Sequence, residues 1–144
     1  MPRRIVFEIP GECVAKGRPN FRRTGKFVKT YTPEKTEKFE NLVKLAFINS
    51  GCEAFVGGEM LSLRLEIYRE IPKSASKKKA KLMEAGLLRP ITKPDLDNCV
   101  KSVLDGLNQV AFKDDSQIVH MTVDKWYSTM PFARVVIEEI ENIE

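Results

Sequence analysis

Five aspartates, Asp95, Asp97, Asp105, Asp114 and Asp115, stand within 21 positions, and past Lys93 only Lys101 and Lys113 offset their charge. Such a density of carboxylates invites a cation, because hard oxygen ligands suit Mg²⁺ and similar ions. Asp95 and Asp97 are two residues apart, so in an extended segment both carboxylates point to one side and can share an ion. Asp97 is also a natural helix cap, which puts Lys101 one turn later and Asp105 two turns later on the same face. Asp114 and Asp115 stand directly before an expected strand, from which one of them can close on the Asp95/Asp97 pair. Three carboxylates and an ammonium would then converge. That set suits phosphodiester hydrolysis: the ion polarises the phosphoryl oxygen and yields hydroxide from bound water, while Lys101 stabilises charge developing at the phosphate or leaving oxygen. Taken one residue at a time, a plainer reading competes, with Asp97 as a cap, Lys101 as its i+4 partner and Asp114-Asp115 as a turn.

The elements that must position these residues are legible from periodicity. Ile5, Phe7 and Ile9 alternate with Val6 and Glu8 until Pro10-Gly11, as a short strand does. From Cys13 to Tyr31 neither period is visible, and the segment reads as a long, polar, exposed loop. Thr32-Pro33 is a helix start, and Phe39, Leu42, Val43, Ala46 and Phe47 mark one buried stripe of a helix over residues 33–49. Leu61, Leu63, Leu65 and Ile67 form a second strand. Ser74 can cap a short helix through Lys77, Lys81 and Met83 that ends at Gly86. A third helix starts near Asp97 with Val100, Val103, Leu104 and Leu107 as its buried stripe. Val119, Met121 and Val123, then Val135 and Ile137, predict two last strands forming a hairpin around Met130-Pro131. The expected fold is α+β, one two-layer domain over residues 1–144 with a mixed four-stranded sheet and about three helices.

At 144 residues and 42% hydrophobic content, the chain can bury one core but not two. Its net charge of +4 names no partner, but the distribution does. Lys16, Arg18, Arg22, Arg23, Lys26 and Lys29 face a single acid, Glu12, between residues 10 and 32, and Lys73, Lys77, Lys78, Lys79, Lys81, Arg89 and Lys93 face only Glu84 between residues 71 and 94. Acids gather in the central motif and in Glu138, Glu139, Glu141 and Glu144, the asymmetry expected if one surface meets phosphate. Phe21, Phe27 and Tyr31, interleaved with the first basic set, suit stacking at a branched DNA whose bases are partly unstacked. The Lys77–Lys81 run is a weaker candidate for phosphate contact. Cys13, Cys52 and Cys99 are too few and too scattered for a disulfide framework or a thiolate zinc site, and fit a reducing cytoplasm. The opening MPRRIVFEIPGE lacks a signal-peptide core and no stretch has the apolar length of a membrane span, so a cytoplasmic protein without membrane partner is expected.

The order of the motif residues resembles the RusA family of junction resolvases, particularly its phage and prophage branch. The matching residues are Pro94-Asp95-Leu96-Asp97-Asn98, then Lys101, Asp105-Gly106-Leu107-Asn108, and Asp114-Asp115-Ser116-Gln117, with a looser match at Lys16-Gly17-Arg18-Pro19 and Tyr31-Thr32-Pro33. The resemblance implies a homodimer that binds four-way DNA junctions and nicks opposed strands in recombination and repair. It implies Mg²⁺, with Mn²⁺ able to substitute, and no small-molecule cofactor. Asp95, Asp97 and Asp115 fall in the family's catalytic and metal-holding aspartate positions and Lys101 in its lysine position, whereas Asp105 and Asp114 match the motif without an implied metal contact. Lys16, Arg18, Arg22, Arg23, Lys26, Lys29 and Lys93 are the expected DNA contacts. Cys99 departs from the larger apolar residue of many relatives, which bears on helix packing.

His120, the one histidine, lies on the polar side of a predicted strand, where plain surface competes with general-base service. Trp126 and Tyr127 suit capping the core or a dimer interface. An EF-hand loop is excluded by Cys99 and Val100 at the fifth and sixth positions, and an aspartyl-phosphate enzyme by the Pro- and charge-broken segment before Asp95. The rival from another class is a junction-binding architectural protein whose aspartates only shape structure. A general flap or branched-DNA nuclease is a third option, and metal-dependent turnover separates the enzymes from the binder.

Overall fold

The computed structural model describes residues 2–143 except Arg18, Pro19, Lys26 and Thr32, and between residues 20 and 31 describes the backbone. Strand β1 (Arg4–Pro10) leads into a hairpin of β2 (Asn20–Thr24) and β3 (Phe27–Tyr31), helix α1 (Glu34–Ser50) and strand β4 (Met60–Glu70). Helices α2 (Lys77–Glu84) and α3 (Leu96–Leu107) follow, then a 3-10 turn (Asp115–Gln117) and strands β5 (Ile118–Ser128) and β6 (Phe132–Ile140). The expected α+β class, mixed four-stranded sheet and three helices are all present. The segment expected to be a loop instead contains the β2–β3 hairpin, which reverses at Gly25, whose φ of 61° a residue without Cβ adopts freely.

Strand order is β1-β6-β4-β5, antiparallel across the first three strands and parallel between β4 and β5. The expected β5–β6 hairpin is therefore wrong: β6 passes over β4 and inserts between β1 and β4. The physical reason lies in burial. Val135, Val136 and Ile137 of β6 are all buried and demand a central place, whereas β5 begins with exposed Val119, His120, Met121 and Thr122 and suits an edge.

Register turns the alternating pattern into rows. Ile5, Ile137 and Leu63 lie side by side, as do Phe7, Val135 and Leu65, and Ile9, Ala133 and Ile67, and every one is buried. Onto this face α1 sets Phe39, Val43 and Phe47, and α3 sets Cys99, Val100, Val103 and Leu107. Phe47 meets Phe7 edge to face at 5.5 Å. The two helices approach closely at Gly106, where a Cβ would lie 2.8 Å from Val43 Cβ and 2.9 Å from the Glu40 carbonyl oxygen. The opposite sheet face carries stacked Tyr68 and Phe132, with Arg134 bridging Glu8 and Glu66. That polar surface completes a two-layer architecture.

Helix α2 is capped by Ser76, not by Ser74, and the Ser76 hydroxyl accepts from the Lys79 N–H at 3.2 Å. Its end is fastened to β5. Gly86 (φ 76°) backs onto Trp126, the Arg89 guanidinium lies 3.8 Å over the Trp126 ring, and Arg89 donates to Asp124 at 2.8 Å and to the Lys125 carbonyl at 2.7 Å. Lys125 Nζ then reaches the Thr92 carbonyl at 2.7 Å, so the chain from α2 to the threshold of α3 is held against the edge strand.

Candidate metal and DNA site

Helix α3 starts one residue after Asp95, and this changes the geometry expected of the D-x-D pair. Asp95 is the N-cap residue, Leu96 is the first helical residue and Asp97 sits in the first turn, so Asp97 is not the cap and the pair straddles a helix start rather than lying in an extended segment. The Asp95 side chain makes no capping hydrogen bond. Both carboxylates are exposed, and among the described residues neither takes part in an ion pair. Two hard oxygen donors thus stand two residues apart at the start of a helix. Lys101, one turn on, is exposed, and among the described residues it is not paired with Asp97. Lys93, also exposed, precedes them across a cis peptide bond to Pro94.

Asp115 is placed by different contacts. Its N–H donates to Asn108 Oδ1 at 3.1 Å, which ties the 3-10 turn to the C-cap of α3. Asp114 and Gln117 form a capping box, and Gln117 Nε2 donates to the Gly57 and Glu59 carbonyls at 3.1 and 3.0 Å. Asp114 also accepts from the Ser116 hydroxyl. The acidic motif therefore divides between the two ends of α3. From Asp97 to Asn108 is a rise of roughly 16 Å at about 1.5 Å per residue. Strand contacts agree: Thr92 is bonded at Lys125, whereas Asp115 precedes Ile118, a span of roughly 23 Å at about 3.3 Å per residue. The expected convergence of Asp95, Asp97 and Asp115 within one chain does not occur, and among the described residues no three His, Cys, Asp or Glu side chains are grouped to hold a metal. An uninterrupted helix keeps the two ends apart.

Asp105 is claimed by a contact that sequence reasoning missed. Lys16 Nζ lies 2.9 Å from Asp105 Oδ2 and 3.2 Å from Glu40 Oε2, its N–H donates to the Asn98 carbonyl at 3.0 Å, and the Gly17 N–H donates to Thr36 Oγ1 at 3.0 Å. Ser102 Oγ donates to the Val14 carbonyl. Residues 13–17 thus form a strap across α1 and α3 at the root of the basic hairpin. Burial disfavours the Lys16 charge, but hydrogen bonds to Asp105 and Glu40 and the field of both carboxylates outweigh it and hold the ammonium above the ordinary lysine range. Lys16 was expected on DNA and is instead occupied in this clamp. A hydrogen bond to Cys99 and burial push the Cys13 thiol far up, which removes it as a nucleophile.

Of the other expected DNA contacts, Arg22 and Arg23 lie on β2 and Lys29 on β3, while Arg18 and Lys26 fall outside the described residues. His120 is exposed on β5, and Trp126 serves as the platform for Arg89. The clamp left one trace in the sequence, the Asp105-Gly106 step of the motif, whose glycine admits the close helix approach. Gln117 and Asn108, also in the motif, prove to be the residues that mount Asp115.

Among the described residues no helix is long and apolar enough to cross a membrane. The protein YqaN of Bacillus subtilis (strain 168), described as uncharacterized, is 45% identical over 139 residues, covering 94% of this chain and 96% of its own. The family model for endodeoxyribonuclease RusA matches residues 10–138, from the end of β1 into β6 and across both ends of the acidic motif. By that match the chain belongs to the RusA family, endodeoxyribonucleases that resolve Holliday junctions.

Proposed function

We propose that this protein is a Mg²⁺-dependent, structure-selective endonuclease that resolves four-way junctions by paired symmetric nicks as a homodimer, with Mn²⁺ able to replace Mg²⁺. The observation that carries this reading is the pair of exposed carboxylates Asp95 and Asp97, without an ion pair among the described residues, with Lys101 one turn beyond. Nucleases of this family generally depend on a divalent metal. Two hard oxygen donors and no thiolate or imidazole between them fit Mg²⁺. When bound, the cation supplies Lewis-acid polarisation of the phosphodiester and a water nucleophile. Lys101 stabilises the negative charge that grows on the phosphate, and its exposure leaves it free to reach DNA. Arg22, Arg23, Lys29 and Lys93, with Arg18 and Lys26, are assigned to DNA backbone contact.

The separation of Asp115 from Asp97 supports a dimeric site. A rigid helix forbids the three carboxylates from meeting in one chain, whereas a two-fold axis can bring Asp115 of the partner subunit to Asp95 and Asp97. Such a dimer carries two sites related by symmetry, as two opposed nicks require. The test is a labelled four-way junction, linear duplex and flap incubated with Mg²⁺, Mn²⁺ or EDTA, beside Asp97→Asn. Paired nicks confined to the junction and lost in EDTA and in the variant are expected. Junction binding without cleavage under either metal would make the protein an architectural binder, and equal cutting of flaps a general branched-DNA nuclease.

A further inference from the structure

Helix α2 breaks the charge rules of a helix: Ser76 caps its first turn, but among the described residues no ion pair offsets its lysines. Lys77, Lys78 and Lys79 fill its first turn, where the macrodipole is positive and no acid is present, and Lys81 follows one turn after Lys77 on the same face. All four are exposed, as is Lys73 just upstream, and among the described residues none is ion-paired. The helix buries no residue. Ala80, Leu82 and Met83 are half-buried on its inner side, so Lys77, Lys78 and Lys81 share an outward arc of about 100°. What holds this unfavourable helix is the fastening at its end, Gly86 and Arg89 against Trp126 and Asp124. The same fastening runs through Lys125 to Thr92, three residues before Asp95. A cluster of like charge that opposes its own helix, yet is mounted beside the candidate catalytic segment, is suited to an anionic partner outside the chain.

We propose that the outward face of α2, Lys77, Lys78 and Lys81 with Lys73, is a second DNA-contacting surface that grips the phosphate backbone of a duplex arm leading away from the cleaved strand. The inference rests on the junction-nuclease reading and extends it from the hairpin to the opposite basic segment. The partner is double-stranded DNA, read by charge alone, since exposed ammoniums at helical spacing match phosphates and carry no base-reading geometry. Bound DNA would supply the negative charge that the first turn of α2 lacks.

The test is the triple variant Lys77→Gln, Lys78→Gln, Lys81→Gln, in the full chain and in an Asp97→Asn background that permits binding without cleavage. Binding to a four-way junction and to linear duplex is titrated against salt, and thermal unfolding is measured without DNA. The expected result is a Kd weakened about tenfold or more at low salt, with the slope of log K against log salt reduced by about 2 to 3, near 0.9 per lost contact, on both DNAs. The free variant should melt no lower than the parent and roughly 3 °C higher, because removing the charges relieves the helix. Unchanged affinity and slope would overturn the proposal, leaving a merely solvated face. A loss confined to the four-way junction would also overturn it, by moving the lysines from an arm to the branch point. Failure of the parent chain to cut any branched DNA would sink the nuclease reading while leaving the salt slopes to judge the surface.

Discussion

Lys16 illustrates how one basic side chain close to the site can be engaged by carboxylates of its own chain. Its ammonium joins Glu40 of α1 to Asp105 of α3, and its backbone N–H holds the Asn98 carbonyl, one residue from Asp97. Removing it should loosen the root of the hairpin relative to the carboxylates while leaving the phosphate contacts in place. Lys16→Ala is expected to cut single-turnover junction cleavage about tenfold or more with affinity within about twofold, since small misplacement costs rate rather than binding. Lys16→Arg should recover much of the rate. An affinity loss with a salt slope lowered by about 0.9 would instead make Lys16 a phosphate ligand. The clamp also has a pH signature. A raised folded-state lysine pKa contributes stability that is fully present below the unfolded value of about 10.4 and disappears as pH climbs through the folded one. Urea unfolding of wild type and Lys16→Met should therefore differ by a constant amount from about pH 7 to 9 and converge only as pH rises beyond about 10.4 through the raised folded-state value.

At the scale of elements, Gly106 sets the distance between the two helices that carry the clamp. A methyl there would meet Val43 Cβ at 2.8 Å and backbone at 2.9 Å, so the helices must part. Gly106→Ala should lower stability by about 2 kcal/mol despite alanine's better helix propensity, seen as a lower urea midpoint with an unchanged slope. What sequence made legible follows the same division between local pattern and long-range contact. The stripes of α1 and α3 and the alternation of β1 and β4 are one-body signals, and they placed those elements correctly. The β2–β3 hairpin was missed although two short runs separated by Gly25-Lys26 carried a hairpin signal, because basic side chains masked the alternation. The place of β6 between β1 and β4 depends on pairing more than 60 residues away, which no local period encodes. The candidate site divided likewise. Residue types were readable from the motif, but the D-x-D geometry failed by one residue of helix start, and the clamp joins residues 24 and 89 positions apart.

For the whole molecule the decisive fact is that α3 stands between its own acidic groups. One end presents Asp95 and Asp97 beside the α2 fastening, the other mounts Asp115 on Asn108 and Gln117. If each chain had to supply a full carboxylate set alone, the helix would have to break. If two chains share the task, each subunit lends one end of α3 to the other, and assembly becomes a condition of chemistry. The two arrangements make opposite predictions for mixed variants. Asp97→Asn and Asp115→Asn should each be inactive alone. Unfolded together and refolded as a mixture, half of the dimers are mixed by random assortment, and in a shared arrangement each mixed dimer holds one intact set: Asp97 from one chain and Asp115 from the other. Recovery of single nicks, at roughly a quarter of the wild-type nicking rate, is the expected outcome, because a mixed dimer has one working site in two. No activity in the mixture, with mixed dimers verified by differential tagging, would place all the catalytic carboxylates in one chain and require α3 to rearrange on DNA.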